Sequence, residues 1–308
     1  MSRLTPKVAA LLVLPPLLWA GNAMVGRLLA DTVPPLLLNA MRWWAALVLL
    51  LPLGWRAVAS AERRAQLRAR WRPLALLGLL GVGAYNALQY LALTTSTPIN
   101  VTLIASSTPV WMLLIGALVY GEHPRLAQVG GALLSLAGVL LVLVRGDPAQ
   151  LAGLRLVAGD LWMLLASLSW AAYSWQLARP HPSLAGAARP DWSWAEFLLV
   201  QALFGLVWAT AAAAGETALA PAAAQAVRWS PTLGLALLFL AVGPSLLAYR
   251  CWGLGVAAVG PAMAGFFSNL TPLFAALMSA ALLRQPPQAY HALAFALIVA
   301  GIVLSNRR

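Results

Sequence analysis

Charge is scarce in this chain: charged residues make up 9% of its 308 residues, whereas hydrophobic residues make up 62%. A soluble domain carries about 25% charged residues, so the composition excludes a soluble globular protein and predicts a polytopic membrane protein. Acidic residues are rarer than basic ones, with 8 Asp and Glu against 20 Lys and Arg. Many of the basic residues cluster in one loop beside apolar stretches, which indicates membrane topology rather than nucleic-acid binding.

Cysteine and the common catalytic motifs are also missing. The single cysteine, Cys251, excludes an internal disulfide, and we interpret it as a small residue packed in a helix. The single lysine, Lys7, excludes a Ser-x-x-Lys or Walker-type site, and the sequence has no His-Glu-x-x-His or Gly-x-Ser-x-Gly motif. We therefore expect no enzymatic activity, no metal and no cofactor. A membrane-embedded enzyme acting on lipid stays as an alternative with little support, as does a sensor or scaffold.

Apolar stretches of about 20 residues predict an all-α protein with ten transmembrane helices. We number these spans one to ten along the chain. They lie near residues 8–29, 35–55, 73–93, 98–119, 126–144, 158–178, 194–214, 231–252, 260–283 and 288–305. The first stretch is long enough to cross the membrane and has a counterpart in the second half, so we interpret it as a helix rather than a cleaved signal peptide.

The distribution of basic residues predicts the orientation of these spans. The loop after span two holds six arginines and one acid, Glu62, and should be cytoplasmic. The same alternation places 13 basic residues inside: Arg3, Lys7, Arg56, Arg63, Arg64, Arg68, Arg70, Arg72, Arg125, Arg179, Arg189, Arg307 and Arg308. It places five outside: Arg27, Arg145, Arg155, Arg228 and Arg284. Both termini are therefore predicted to be cytoplasmic.

A set of landmarks occurs twice in the chain at one constant offset of 163 residues (261 − 98). The first copy is Pro98, Thr108-Pro109 and Ala137-Gly138-Val139-Leu140-Leu141, and the second is Pro261, Thr271-Pro272 and Ala300-Gly301-Ile302-Val303-Leu304. Each half has five spans, and an odd number inverts the second half relative to the first. We predict a first repeat over residues 1–145, an external connector over 146–157 and a second repeat over 158–308. Such repeats are typical of a transporter whose substrate site lies between the halves.

The ordered landmarks of both halves resemble the drug/metabolite transporter superfamily, specifically its EamA-like members. The matching residues are Trp19-Ala20-Gly21-Asn22, Arg42, Ala92-Leu93, Thr108-Pro109, Gly121-Glu122 and Ala137-Gly138-Val139, then Trp170-Ala171, Thr271-Pro272 and Ala300-Gly301-Ile302. The resemblance covers essentially the whole chain. It departs from the family at Gln285, which stands where the family usually repeats the acid of Glu122.

The resemblance implies a ten-helix carrier of the bacterial-type inner membrane with a central cavity. Such carriers move small metabolites and often export amino acids. The expected partners are a small-molecule substrate and the lipid bilayer, without nucleic acid, and a monomer is the simplest expectation because two fused halves already supply the pseudosymmetric unit.

Ionisable residues within the spans are functional candidates because burying them in lipid is costly. No Asp, Glu or Lys lies in the middle of a predicted span, so we favour facilitated diffusion or exchange over proton coupling. His291 lies near the outer end of span ten and is interpreted as an interfacial residue. For Arg42 the functional interpretation is an anion contact or a gate. The structural interpretation is an arginine that snorkels to the interface or binds carbonyl groups at helix ends, and the resemblance favours this structural role. Arg250 either snorkels or binds a carboxylate at the inner mouth of the cavity.

Polar and aromatic residues inside the spans are the candidates for the substrate cavity. Helical spacing places several of them on shared faces, such as Tyr85 with Gln89 and Trp170 with Tyr173 or Ser174. Small polar residues also join transmembrane helices, so packing is the alternative role. The candidates are Trp19, Asn22, Tyr85, Asn86, Gln89, Ser106, Trp170, Tyr173, Ser174, Tyr249, Arg250 and Asn269.

Two prolines, Pro109 and Pro272, lie mid-helix at matched positions of the repeats. A proline there removes a backbone hydrogen bond and bends the helix. The matched bends are interpreted either as hinges for alternating access or as static shape.

The sequence therefore predicts a carrier that moves small organic metabolites by alternating access, with outward transport of amino-acid-type solutes favoured. A nucleoside, a sugar or a lipophilic drug-like compound, exported or imported, is the alternative. A hydrophobic cation would normally require a buried carboxylate, which the spans lack.

Overall fold

The structure is a computed structural model that describes residues 4–29, 32–96, 98–153, 156–221, 227–282 and 288–306. These residues are helical or irregular, with no strand among them. Several residues of the sequence analysis lie outside the described ranges: Arg3, Arg155, Arg284, Gln285, Arg307 and Arg308.

The described residues form ten long helical segments, which keep the numbers of the predicted spans. Their bounds are Pro6–Leu29, Pro35–Gly54, Trp71–Thr95, Pro98–Tyr120, Leu126–Leu143, Ala158–Ala178, Trp194–Leu219, Pro231–Val259, Pro261–Leu282 and Ala289–Ser305. Eight of them are long and apolar enough to cross a membrane by length and composition. Segments six and ten do not meet that test, because segment six contains three Trp, three Ser and Asp160 and segment ten has 17 residues. The predicted all-α membrane fold is confirmed.

Two predicted boundaries were wrong. Segment seven continues to Leu219, five residues beyond its predicted end near residue 214. Segment eight continues beyond the predicted end near residue 252, because the backbone stays helical until Gly260, whose φ of 83° ends it. The polar loop after segment two contains two short helices, Arg56–Ala59 and Ala61–Ala69. The second begins at Ser60, whose hydroxyl accepts a hydrogen bond from the Arg63 backbone, as an N-cap does.

Segments four and nine are each broken just before their mid-helix proline. Segment four consists of Pro98–Ala105 and Thr108–Tyr120, and segment nine consists of Pro261–Ser268 and Leu270–Leu282. The breaks at Ser106 and Asn269 are 163 residues apart, which is the offset of the sequence repeat. The helices are thus interrupted at matched positions before Pro109 and Pro272, and the action of these positions as hinges stays a prediction.

Segments three and eight each contain a π-helical stretch that the sequence analysis did not predict. The stretches are Leu79–Ala84 and Ala241–Leu247, again about one repeat offset apart. A π-helical turn displaces backbone carbonyl groups from their usual partners and often marks a functional site. Here the Tyr249 hydroxyl donates to the Gly81 carbonyl and the Trp19 indole donates to the Pro244 carbonyl at 3.3 Å.

The contacts between segments have the pattern of a two-fold axis. Segment two packs on seven, four on nine and five on ten, so each equivalent pair meets across the axis. Segment one packs on eight and nine, and its equivalent, segment six, packs on three and four. Segments five and ten approach so closely that a Cβ added to Gly131 or to Gly301 would lie 2.6 Å from the carbonyl oxygen of the other. The fold is therefore a pair of inverted five-segment repeats.

The charged loops meet at one end of this bundle, which we call the arginine-rich end. Arg63 donates to the Asp191 carbonyl at 3.1 Å, and Arg70 donates to the Ser183 carbonyl at 2.8 Å. Arg179 forms an ion pair with Glu122 at the same end. The three loops of residues 55–70, 121–125 and 179–193 thus lie together, as the charge pattern requires, and the opposite end carries the turns between segments one and two and between five and six.

Several acids of the described residues lie at segment ends, where they bind backbone groups, and the others lie in loops. Glu216, at the end of segment seven, accepts hydrogen bonds from the Leu36 and Leu37 amides at 3.2 and 2.9 Å, which caps segment two. Asp160 accepts from the Val157 amide at 2.9 Å at the start of segment six. Their positions match the expectation that the centre of the bundle has no acid.

Candidate functional site

Six aromatic side chains meet in the middle of the bundle, and we call them the ring cluster. Trp170 lies at its centre, with ring centroids of its five neighbours 5.0 to 5.5 Å away. Edge and tilted contacts of this kind are the favoured arrangements of aromatic pairs. The cluster draws on segments one, three, six and eight, and hence on both repeats: Trp19, Tyr85, Trp170, Tyr173, Tyr249 and Trp252.

The contact between Trp19 and Trp170 lies across the repeat interface. The two residues stand at equivalent positions, because each precedes an alanine in the first segment of its repeat. Their rings pack edge to face, with centroids 5.0 Å apart and an interplanar angle of 88°. The ring cluster therefore lies close to the two-fold axis, where the substrate of a repeat-built transporter is expected.

A polar network adjoins the ring cluster, and we call it the arginine network. Arg42 is fully buried, with 0% of its surface exposed. Its Nε donates to Ser245 Oγ at 3.2 Å, and its Nη1 lies 3.0 Å from both Asn22 Oδ1 and Asn86 Oδ1. Nη1 also lies 3.3 Å from the Tyr90 hydroxyl, which itself donates to Asn22 Oδ1 at 3.0 Å. Segments one, two, three and eight thus converge on one guanidinium.

The contacts of Arg42 differ from those that the favoured structural interpretation predicted. The side chain does not snorkel, since it is fully buried, and its hydrogen bonds go to side-chain oxygens rather than to backbone carbonyls. The physical reason is the depth of residue 42: it is the eighth of 20 residues in segment two, too far from the helix end for its guanidinium to reach water.

The structure brings eight of the twelve predicted cavity residues together. Five belong to the ring cluster, and Asn22 and Asn86 belong to the arginine network. The eighth, Ser174, donates to the Trp170 carbonyl at 2.8 Å and accepts from Trp252 Nε1 at 3.0 Å.

The other four candidates have no hydrogen bond or ring contact with these residues in the described part of the chain. Ser106 donates to the Thr102 carbonyl of its own helix at 2.8 Å, the packing role that was the alternative. Asn269 donates to Ser135 Oγ at 2.9 Å, and Gln89 is half-buried. Arg250 is exposed, with its guanidinium 4.4 Å from the centroid of the Trp194 ring near the arginine-rich end.

Three residues of this region were absent from the predicted set: Tyr90, Trp43 and Trp252. Ser245 was expected on the same helix face as Tyr249, four residues later. Helical spacing could have indicated Tyr90, because it lies four residues after Asn86, and Trp252, because it lies three residues after Tyr249. Trp43 faces the cluster through Tyr249, at a centroid distance of 5.0 Å. No signal in the sequence pairs Trp43 with segment eight.

The access routes to the two ends of the bundle differ. A cavity of about 900 Å³ opens at the arginine-rich end, with Glu122, Arg125, Leu113, Met263 and Trp175 among its lining residues. None of the twelve predicted residues lines it. Trp175 lies in segment six, five residues from Trp170 of the ring cluster.

An apolar cluster packs on the other side of the arginine network. It consists of Leu29, Val33, Leu38, Tyr90, Leu233, Leu237 and Leu240. Each is less than 9% exposed, and Tyr90 belongs to both the cluster and the network. A smaller cavity of about 390 Å³ lies between segments nine and ten, with Leu273, His291 and Phe295 among its lining residues. The described residues thus have their larger cavity at the arginine-rich end and the apolar cluster on the opposite side of the arginine network.

Comparisons with known proteins agree with this architecture. A transporter of Archaeoglobus fulgidus without an assigned substrate is 26% identical over 98% of each chain. The aromatic amino acid exporter YddG of Ancylobacter novellus is 27% identical over 94% of this chain and 93% of its own. A solved crystal structure with 25% identity superposes with a TM-score of 0.74 over 97% of this chain and 96% of that one.

The model of the EamA-like transporter family matches the chain twice, over residues 6–144 and 157–307. Both matches contain five helical segments and together they cover nearly the whole sequence. The chain therefore belongs to the EamA-like transporter family and is a multi-pass membrane transporter rather than an enzyme.

Proposed function

We propose that this protein exports amino-acid-type solutes across the bacterial-type inner membrane by alternating access. The observation that carries the proposal is the ring cluster beside the arginine network, built by both repeats at the two-fold axis. Aromatic faces suit an apolar or aromatic side chain, and neighbouring amides and hydroxyls suit the polar groups of an amino acid. The similarity to an aromatic amino acid exporter supports the same substrate class.

The predicted orientation relates the open end of the bundle to one side of the membrane. Positive charge favours the arginine-rich end on the cytoplasmic side, together with both termini. The cavity of about 900 Å³ then faces the cytoplasm, and the apolar cluster closes the external side. An exporter loads its substrate in a state of this kind and an importer releases its substrate from it, so outward transport is supported by the similarity to an exporter rather than by the state.

The coupling of transport follows from the placement of acids. Every acid among the described residues lies in a loop or at a segment end, and none contacts the ring cluster or the arginine network. Proton-coupled carriers use intramembrane carboxylates or histidines as relays. We therefore propose facilitated diffusion or exchange, which a proton gradient alone should not drive.

The test is an efflux assay in cells that overproduce the protein and are loaded with dipeptides that release single amino acids inside. We expect faster efflux of one class of amino acid, and a loss of about thirtyfold or more in Asn86→Ala/Tyr173→Ala, because the two groups removed are worth about 1–3 kcal/mol each. The matched control is Gln150→Ala/Tyr290→Ala, which removes an amide and a phenol far from the ring cluster and should leave efflux unchanged.

Two results would contradict the proposal. One is unchanged efflux for every amino acid despite membrane insertion, which would favour nucleosides, sugars or lipophilic compounds, or import. The other is equal loss of efflux in both double variants, which would separate transport from the ring cluster.

A further inference from the structure

The guanidinium of Arg42 has hydrogen-bond donors in excess of the acceptors around it. Its Nε and Nη1 bind Ser245, Asn22, Asn86 and Tyr90, as described above. Its Nη2 is buried and has no hydrogen-bond partner among the described residues. A guanidinium carries five N–H donors in a planar fork, so the edge that presents Nη2 holds two donors without acceptors.

The positive charge of Arg42 also has no counter-ion among the residues that the structure describes. The ion pairs of the described residues join Arg63 with Glu196 and Arg179 with Glu122, both at the arginine-rich end. The partners of Arg42 are neutral amides and hydroxyls. A buried cation without a paired anion is strongly unfavourable, and in a membrane span such a residue marks a functional site by default.

Two buried indole groups increase the local excess of donors. Nε1 of Trp43 and Nε1 of Trp170 are both buried without a partner in the described residues. Both rings contact Tyr249, at centroid distances of 5.0 and 5.4 Å, and the Arg42 guanidinium carbon lies 5.6 Å from the Trp43 ring centroid. The unpaired acceptor on segment two is Asn39 Oδ1, one helical turn from Arg42.

We propose that Arg42 anchors a carboxylate of the transported solute, which binds through the Nη2 edge while Nε and Nη1 hold the guanidinium in place. A carboxylate is planar, carries one negative charge and accepts two parallel hydrogen bonds from a guanidinium. The ring cluster beside the network then accommodates the apolar remainder of the solute. This inference rests on the proposed function and specifies which group of the substrate the site recognises.

The arrangement assigns different tasks to the two arginines that lie within the spans. Arg42 has neutral partners, is fully buried and adjoins the ring cluster. Arg250 is exposed and lies over the Trp194 ring, outside the network. Arg250 therefore offers a matched control in the same protein, since the same substitution there removes an identical charge from a different place.

The test measures binding to the purified full-length protein in detergent, by ligand-induced shifts in melting temperature and by titration. The probes are matched pairs of an amino acid and its carboxamide, together with inorganic phosphate. We expect the wild-type protein to bind the acid tighter than the carboxamide by on the order of tenfold to a hundredfold, the range of a charge-assisted hydrogen-bond pair. Arg42→Gln should abolish this preference, Arg42→Lys should retain part of it, and Arg250→Gln should leave it unchanged.

Several results would overturn the inference. They are equal binding of acid and carboxamide by the wild type, an acid preference that persists in Arg42→Gln, or binding of phosphate without binding of carboxylates. If Arg42→Gln does not fold, the wild-type preference for the acid and the preference of Arg42→Lys still test the inference. A lysine keeps the positive charge but lacks the planar set of guanidinium donors that binds a carboxylate through two hydrogen bonds.

The inference and the proposed function can fail separately. Arg42-dependent binding of carboxylates without amino-acid efflux from cells would overturn the proposed function alone. Amino-acid efflux with an acid preference that persists in Arg42→Gln would overturn the inference alone.

Discussion

The two repeats share a backbone and differ in the chemistry of their inner faces. Both contain a π-helical stretch in the third segment and a break before the proline of the fourth. Where the first repeat has Asn86, the second has Tyr249 at the 163-residue offset, and where the first has Asn22, the second has Tyr173, three residues after the equivalent tryptophan. The first repeat also supplies Arg42. Twice, therefore, an amide is replaced by a phenol.

This difference separates two requirements of a repeat-built carrier. Alternating access needs two halves that can exchange conformations, which demands equivalent backbones and equivalent contacts. A substrate with one polar and one apolar end needs a site with two unlike walls. The first repeat supplies the polar wall, with Arg42 and two asparagines, and the second supplies most of the aromatic wall.

The largest expected effect concerns the shared backbone. Gly131→Leu and Gly301→Leu should each destabilise the protein by about 3 kcal/mol or more, because overpacking cannot be relieved against backbone atoms. Each new Cβ would lie 2.6 Å from the other glycine's carbonyl oxygen. The measurement is the fraction of folded protein in detergent, by size-exclusion chromatography and thermal melting. The two variants should lose stability equally, since the contact is reciprocal.

Gly253→Leu is the control for these variants. It lies within segment eight, and apart from its chain neighbours and the adjacent backbone of its own helix, no atom of the described residues comes within 4 Å of its Cβ position. It should fold like the wild type. Unequal losses at Gly131 and Gly301 would show that the two backbones are less alike in solution than the contact implies.

The next effect concerns the unlike inner faces. Asn86→Leu removes an acceptor of the buried Arg42 guanidinium, and a hydrogen bond to a charged group contributes about 1.5–3 kcal/mol, so transport should fall on the order of tenfold or more. Tyr249→Phe keeps the ring contacts and removes the donor to the Gly81 carbonyl, at a cost of about 1 kcal/mol. Its transport should fall less than tenfold. The readout is the initial efflux rate per amount of protein in the membrane.

Equal losses in these two variants would contradict the division into a polar and an aromatic wall. A larger loss in Tyr249→Phe would assign the polar role to the tyrosine hydroxyl. Both variants should insert and purify normally, which melting temperatures can check.

Part of this site was predictable because helical spacing and repeat position are properties of the chain alone. Trp170, Tyr173 and Ser174 share a segment, and their convergence with Trp19 follows from the expectation that the site lies between repeats. The partners of Arg42 were not predictable, because they come from segments one, three and eight, whose rotations depend on packing. The π-helical stretches were missed for a related reason: a shift of backbone hydrogen bonds leaves the apolar periodicity almost unchanged.

Arg250 shows the limit of reasoning from span boundaries. Its position near a predicted span end is compatible with a cavity mouth or a surface, and only the neighbouring Trp194 decides between them. Residues 19, 22, 85 and 86 were found because a polar or aromatic side chain deep in a span can serve few roles besides packing and binding. An arginine near a span end can snorkel to water, pair with lipid headgroups or face a cavity, so its position alone does not separate these roles.

The smallest expected effect concerns a position where the repeats differ at the arginine-rich end. Glu122 pairs with Arg179, while Gln285 stands at the offset position in the second repeat and lies outside the described residues. The side chains of Glu122 and Arg179 are 31% and 60% exposed, and an exposed ion pair contributes about 0.2–1 kcal/mol. Glu122→Gln, which makes the two repeats alike here, should therefore shift the melting temperature by no more than a few degrees and change efflux less than about threefold.

Glu122 also lines the cavity, so the variant distinguishes an ion pair that stays formed from one that opens during transport. A loss of efflux well beyond threefold at unchanged melting temperature would mean that the pair with Arg179 must break and reform during transport. The functional difference between the repeats would then extend from their inner faces to the arginine-rich end.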